Sequence, residues 1–178
     1  MKTKKIKVVY SELKIKKAVN SLAKKINNDY SKKRVAKPIV VISVLKGAFM
    51  FTSDLIKRIE HPLQIEFVRI SSYGSKEVSS GKIDAPMLTL PDLTGRDILI
   101  IEDIIDSGRT IGFLKEYIAT QYKPKSLKVA CLLNKDERRE VNVKADYVGF
   151  NVGNYFLVGY GLDTAEKFRH LPFLGVEL

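Results

Sequence analysis

In "LIIEDIIDSGRT", residues 99–110, an apolar run enters a phosphate-type turn, and Glu102, Asp103 and Asp106 put three carboxylates in that same turn. An apolar run leads into Glu102 and Asp103, then two more apolar residues, then Asp106-Ser107-Gly108-Arg109-Thr110 in a polar turn. Such a turn at a helix start suits a phosphate. Backbone N–H groups point outward there, Ser107 and Thr110 add hydroxyl donors, and Gly108 lets the backbone come close or take a positive φ. Helix capping explains one acid, or two with the helix dipole, but not three behind a buried strand. A ligand with a phosphate at one end and hydroxyls plus a metal beside it explains all three. Carboxylates accept hydrogen bonds from sugar hydroxyls, and hard oxygen ligands suit Mg²⁺.

Other phosphate loops are excluded. The chain has no G-x-x-x-x-G-K-[ST], and its only G-x-G, "GYG" at 159–161, lacks a third glycine and a following helix start. His61 and His170 stand alone without metal-ligand spacing, Cys131 lies in an apolar run and reads as packing, and "DERRE" at 136–140 reads as a solvated loop. A single cysteine rules out an internal disulfide and suits a reducing compartment, so a cytoplasmic location is expected. No apolar run approaches the roughly 20 residues needed to span a bilayer, and the basic N-terminus has no signal-peptide pattern. The net charge of +11 invites nucleic acid, but the lysines are spread along the chain without interleaved aromatics. Nucleic acid is therefore not the expected partner; the charge is solvated, or steers a small anion.

The elements that must carry this turn alternate. Residues 11–29 place Ile15, Ala18, Val19, Leu22 and Ile26 at helical spacing, and "PIVVISVL" at 38–45 is a buried strand. A helical pattern in "AFMFTSDLIKRI" and a strand in "LQIEFVRI" follow. Residues 71–86, rich in Ser, Gly and Lys, read as a long mobile loop. Strand "DILII", helix "IGFLKEYIATQY" and strand "SLKVACLL" repeat the rhythm, and the tail from 145 offers the short strands "ADYVGF" and "YFLVGYG". Alternation of this kind implies an α/β fold with a parallel sheet flanked by helices, and the chain ends are expected to pair as a small lobe at its edge. Ligands bind such sheets at the carboxyl ends of the strands, where "ILII" ends.

"IIEDIIDSGRT" resembles the phosphoribosyl-pyrophosphate motif of the type I phosphoribosyltransferases. "VLKGAFMF", "SSYGS", "LLNKDERREVNV", "ADYVGF", "FLVGYGLD" and "KFRHLP" occur in the order and spacing of the hypoxanthine-guanine members, over residues 38–173. The resemblance implies the type I phosphoribosyltransferase fold in one domain, 1–178. Its core would span about 36–135, and its hood would come from the N-terminal segment and about 140–178. It implies that Glu102 and Asp103 meet the ribose hydroxyls directly or through Mg²⁺. Asp106 would be general base or acid at purine N7, and Asp106, Ser107, Gly108, Arg109 and Thr110 would wrap the 5′-phosphate. Lys46, Gly47 and Arg169 would hold pyrophosphate, although Lys46-Gly47 read alone is only a strand end and Arg169 only a surface cation. Ser72, Tyr73 and Gly74 would form a lid that keeps water from the reacting sugar. Lys135 would donate to the purine 6-oxo group, Phe156 would stack on the ring, and backbone groups of Leu157 and Asp163 would meet its pyrimidine edge. The Asp163 carboxylate would help hold a second Mg²⁺. By residue type alone Phe156 is a core residue; the twenty-one residues from Lys135 to Phe156 and seven more to Asp163 match the family spacing.

The implied activity is purine salvage: transfer of 5-phosphoribosyl from phosphoribosyl pyrophosphate to N9 of hypoxanthine or guanine, giving IMP or GMP plus pyrophosphate. A homodimer or homotetramer is implied as well. The alternative is a regulator on the same fold that binds RNA or a nucleotide. It would need no general base, whereas Asp106 is present.

Overall fold

The computed structural model describes residues 5–31, 37–70 and 88–178. Five parallel strands form the main sheet in the order β3-β2-β4-β5-β6, with β2 at Ile39–Leu45, β3 at Leu63–Arg69, β4 at Asp97–Ile105, β5 at Ser126–Asn134 and β6 at Tyr147–Asn151. β2 and β4 are buried along almost their whole length because helices cover both faces. That is why "IVVISVL" and "DILII" are apolar on both faces, apart from Ser43 and Asp97, rather than alternating.

The two faces separate by residue parity. Ile39 and Val41 of β2 and Leu99 and Ile101 of β4 join one apolar cluster with helix α1 (Glu12–Ser31) and helix α2 (Phe49–Ile56). Val40, Ile42, Ile98 and Ile100 face the other way, onto Ile111, Leu114 and Ile118 of helix α3 (Arg109–Tyr122). α1 commits Ile15, Val19, Leu22, Ala23, Ile26 and Tyr30 to its face, the stripe its periodicity predicts except that Ala18 is only half-buried and Ala23 and Tyr30 are added.

The chain ends meet in a second, antiparallel sheet. β1 (Ile6–Tyr10) pairs with β8 (Leu174–Glu177), which pairs with β7 (Leu157–Val158). Two expectations change here. The segment Tyr147–Asn151, expected on the hood side, is the edge strand of the main sheet, because its residues pair with Ala130–Asn134 of β5. The N-terminal segment is likewise divided: β1 goes to the small sheet, while α1 lies on the main core. The small sheet is tied to the main body by Tyr10 stacking near Phe150, ring centroids 4.3 Å apart, and by the Tyr160 hydroxyl donating to Asp54 of α2 at 2.7 Å.

β4 runs further than its composition suggests. It continues through Glu102 and Asp103 to Ile105, with Glu102 beside Cys131 and Ile105 beside Asn134 in the ladder. The two acids expected in the turn are therefore strand residues; only Asp106 belongs to the turn. Lateral hydrogen bonds from β5 hold the backbone extended there, whatever the side chains prefer.

Candidate active site

Parallel strands end on one edge, so the loops after β2, β4 and β5 gather at the same place. On β4, Glu102 and Asp103 are both buried, at 6% and 8% exposure. Burial pushes Glu102 well above the usual carboxylate range, and the neighbouring Asp103 charge pushes it further. Burial also raises Asp103, against the opposing pull of a Glu102 hydrogen bond, the Ile104 N–H at 2.8 Å and the Arg169 charge. Both shifts favour the protonated form, more strongly at Glu102. A divalent cation beside the pair would favour the charged form instead. Among the described residues no three acid, His or Cys side chains converge on one point, so Glu102, Asp103 and Asp163 do not form one cage. A pair of carboxylates completed by substrate oxygens is how Mg²⁺ is commonly held, and Glu102 and Asp103 fit that use.

The turn after β4 is built for close approach. Gly108 has φ +84°, and a Cβ there would lie 2.7 Å from Val143 Cγ2 and 3.1 Å from the Val141 carbonyl. The Ser107 carbonyl accepts N–H bonds from Glu140 (2.9 Å) and Val141 (3.1 Å), which clamp the turn from behind. No side chain among the described residues caps α3 from Gly108, and the Arg109 N–H makes only a long contact, 3.4 Å, to Ser107 Oγ. The first-turn amides are left for an anion.

Asp106 stands at the mouth of this turn. Its Oδ2 is 3.5 Å from Lys135 Nζ and 3.4 Å from Arg138 Nη1, while Oδ1 is buried with no partner among the described residues. Lys135 is itself 5% exposed and is anchored by its N–H to the Ile105 carbonyl at 3.0 Å. The Val152 N–H bonds to the Asn134 carbonyl at 2.9 Å, which brings the chain leading to Phe156 beside Lys135. Phe156 is 65% exposed, unlike a core residue, and Leu157 is buried beneath it.

The loop after β2 interlocks with this edge through two glycines. A Cβ on Gly47 would lie 1.6 Å from Asp103 Oδ2, and a Cβ on Gly161 (φ +101°) would lie 2.0 Å from the Gly47 carbonyl. Nothing larger fits at either place. Gly161 had been excluded only as part of a dinucleotide loop; its contact with Gly47 is visible only in three dimensions. Arg169 donates to the Gly161 carbonyl at 2.8 Å and pairs with Asp163 at 2.8 Å, while the other Asp163 oxygen accepts the Glu166 N–H at 2.8 Å. Lys46 pairs with Glu166 at 3.0 Å.

Residue type alone missed several groups. The "DERRE" segment is not merely solvated: Arg138 reaches Asp106, and Arg139, with its Cδ beside Gly108, bonds Asn134 behind the phosphate turn. Glu166 was also unmarked, since an acid among "DTAEKFR" carries no spacing signal. Ser72, Tyr73 and Gly74 lie outside the described residues. Cys131 is fully buried, with its thiol pushed up to about 12 by burial, and is inert packing as expected. A cavity of about 250 Å³, lined by Glu12, Lys16, Asp54, Arg58 and Tyr160, lies on the α1–α2 side and contains none of Glu102, Asp103, Asp106, Lys135 or Arg169.

Residues 6–165 match the phosphoribosyl transferase domain family. The hypoxanthine-guanine phosphoribosyltransferase of Bacillus subtilis is 46% identical over 170 residues, covering 96% of this chain and 92% of that protein. The namesake enzyme of Aquifex aeolicus is 43% identical over 169 residues, covering 95% and 93%. A crystal structure of a hypoxanthine-guanine phosphoribosyltransferase from Bacillus anthracis superimposes with a TM-score of 0.86 at 41% identity, covering 98% of this chain and 99% of that one. The chain spans only 26% of the bifunctional TilS/HprT protein of Listeria monocytogenes, to which it is 44% identical over 170 residues. The five-stranded parallel sheet with helices on both faces, the acid pair and glycine turn at its edge, and these likenesses together place the chain in the phosphoribosyltransferase family.

Proposed function

We propose that this chain transfers the 5-phosphoribosyl group of phosphoribosyl pyrophosphate to N9 of hypoxanthine or guanine, forming IMP or GMP and releasing pyrophosphate, as a purine-salvage enzyme. The observation that carries the reading is Asp106: a carboxylate with one buried, unpartnered oxygen, set between a buried lysine and a phosphate turn. A pure binding module has no use for it.

In this reading Asp106 to Thr110 take the 5′-phosphate on the amides of the α3 N-terminus and the hydroxyls of Ser107 and Thr110. Glu102 and Asp103 face the ribose and would hold Mg²⁺, which neutralises the leaving pyrophosphate. Lys46, the Gly47 N–H and Arg169 hold the pyrophosphate oxygens. As the C1–O bond breaks, positive charge grows on the sugar carbon, and ionised carboxylates beside it would stabilise that charge. N9 then bonds to C1, and the Asp106 carboxylate takes the proton leaving N7. Lys135 donates to the 6-oxo group; an exocyclic amine offers no acceptor there, which disfavours adenine. Phe156 stacks on the ring, Leu157 and Asp163 backbone groups meet its pyrimidine edge, and Asp163 is a candidate ligand for a second Mg²⁺.

We further infer a homodimer or homotetramer. Ile65 and Phe67 of β3 are 38% and 55% exposed and share the sheet face of Val41 and Ser43, beside α2. An apolar strip of this kind suits a second copy. Cytoplasmic location is supported by the lone reduced thiol; among the described residues no helix is long and apolar enough to cross a membrane.

The test is a coupled assay with phosphoribosyl pyrophosphate, Mg²⁺ and hypoxanthine, guanine, xanthine or adenine in turn. Hypoxanthine should turn over and adenine should not. Tight, salt-sensitive RNA binding without turnover would replace this reading with a regulator.

A further inference from the structure

The two cations assigned to pyrophosphate are already joined by one atom. Lys46 Nζ lies 3.0 Å from Glu166 Oε2, and Arg169 Nε lies 3.5 Å from the same oxygen. Lys46 and Glu166 are 120 residues apart in sequence, so folding alone brings them together. Arg169 is held from its other side by Asp163 and the Gly161 carbonyl, both at 2.8 Å. Glu166 sits on a tight hairpin closed by Thr164 and Lys167, with Ala165 at φ +48° and Glu166 at φ +62°. Positive φ at both central positions is normally given to Asn or Gly. The chain places a glutamate there against local preference, and with its carboxylate on the cation pair.

We propose that Glu166 is a built-in occupant of the pyrophosphate subsite. Its Oε2 takes the position of a diphosphate oxygen between Lys46 and Arg169, and it must swing away when the diphosphate enters. The proposal rests on the reading that Lys46 and Arg169 hold pyrophosphate. Before the substrate binds, the carboxylate keeps two like charges from separate loops close together and aimed at one point. An exposed ion pair is weak, and Glu166 is 65% exposed on its side chain, so a diphosphate with several charges displaces it. On the product side the returning carboxylate competes with pyrophosphate and speeds its departure. Glu166 is thus a positioning residue that sets the balance between substrate capture and product release.

The experiment compares wild type with Glu166→Gln, which keeps the shape and removes the charge, and Glu166→Asp, which keeps the charge. Pyrophosphate binding in the presence of Mg²⁺ is measured by calorimetry; kcat and the KM for phosphoribosyl pyrophosphate are measured with hypoxanthine, and thermal melts verify folding. Glu166→Gln should bind pyrophosphate about two- to five-fold tighter, the range expected for removing one exposed competing charge. Its KM for phosphoribosyl pyrophosphate should fall while kcat stays level or drops. Glu166→Asp should return toward wild type. Equal or weaker pyrophosphate binding by a folded Glu166→Gln overturns the proposal, because the glutamate then only supports its cations. If wild type turns over hypoxanthine and binds pyrophosphate while Glu166→Gln matches it, this proposal fails alone. If wild type does neither, the functional reading fails and takes this one with it.

Discussion

The edge of the sheet is assembled from two unlike halves. One half is the end of β4 and its turn, residues 102–110, where Glu102 and Asp103 are buried in a ladder and the turn is clamped by backbone hydrogen bonds. The other is the loop pair formed by Lys46-Gly47 and residues 159–169, joined by side-chain ion pairs and by glycine contacts. Main-chain bonds inside a parallel sheet cannot exchange partners without breaking the sheet. Exposed ion pairs can exchange one anion for another at little cost. In the proposed reading the first half would therefore fix the sugar and the proton acceptor, and the second half is suited to take and release an anion.

The sharpest way to break this division is Asp106→Asn. Losing the proton acceptor should cut kcat by about 10²–10⁴-fold, the usual worth of general acid–base catalysis, while leaving the KM for phosphoribosyl pyrophosphate within a few-fold. A loss confined to KM would show that the strand half binds rather than reacts. Next is Gly47→Ala, where the new Cβ would collide with Asp103 Oδ2 at 1.6 Å. A displacement of that scale costs about 10²-fold in activity, and steady-state kinetics should show it in both kcat and KM because the variant disturbs both halves at their contact.

Phe156→Ala should separate binding from stability. The ring is 65% exposed, so its loss should move the melting free energy by no more than about 0.5 kcal/mol. Loss of stacking should raise the hypoxanthine KM by roughly ten-fold. Phe51→Ala, at a fully buried position on α2, is the opposite control and should cost about 3–5 kcal/mol of stability.

The smallest effect is a pH slope. Both acids of the β4 pair are raised in the folded chain, so the folded state keeps protons that the unfolded chain releases. Their contribution to stability is complete below the ordinary aspartate value of 3.8, the lower of the two, and is lost as pH rises through the raised folded values. Denaturation midpoints measured without Mg²⁺ should decline over that window, and Glu102→Gln should flatten the decline. An unchanged slope would mean that burial does not raise Glu102.

Much of this architecture was legible from residue patterns. The continuous apolar runs of β2 and β4, the stripe on α1 and the acid-rich turn each follow from local chemistry repeated at a fixed period. What was misplaced involves neighbours in space. Glu102 and Asp103 read as turn residues because acids are poor strand formers, yet pairing with β5 holds them extended. Tyr147–Asn151 read as part of the hood because nothing in five residues says which sheet they will join. Arg138, Glu166 and Gly161 gave no signal because each matters only through a partner far along the chain.

By itself, then, the sequence determined the alternation of strands and helices, the burial of two central strands and the presence of carboxylates beside a phosphate turn. Those properties depend on side-chain polarity at short range, which a linear string records. The tertiary structure decided that Gly47 lies against Asp103 and Gly161, that one oxygen of Glu166 joins Lys46 to Arg169, and that Asp106 keeps one buried oxygen without a partner among the described residues. The contacts of Gly47 and the Lys46–Glu166 pair join segments separated by tens to more than a hundred residues, and are set by how the packed layers close and not by any local preference.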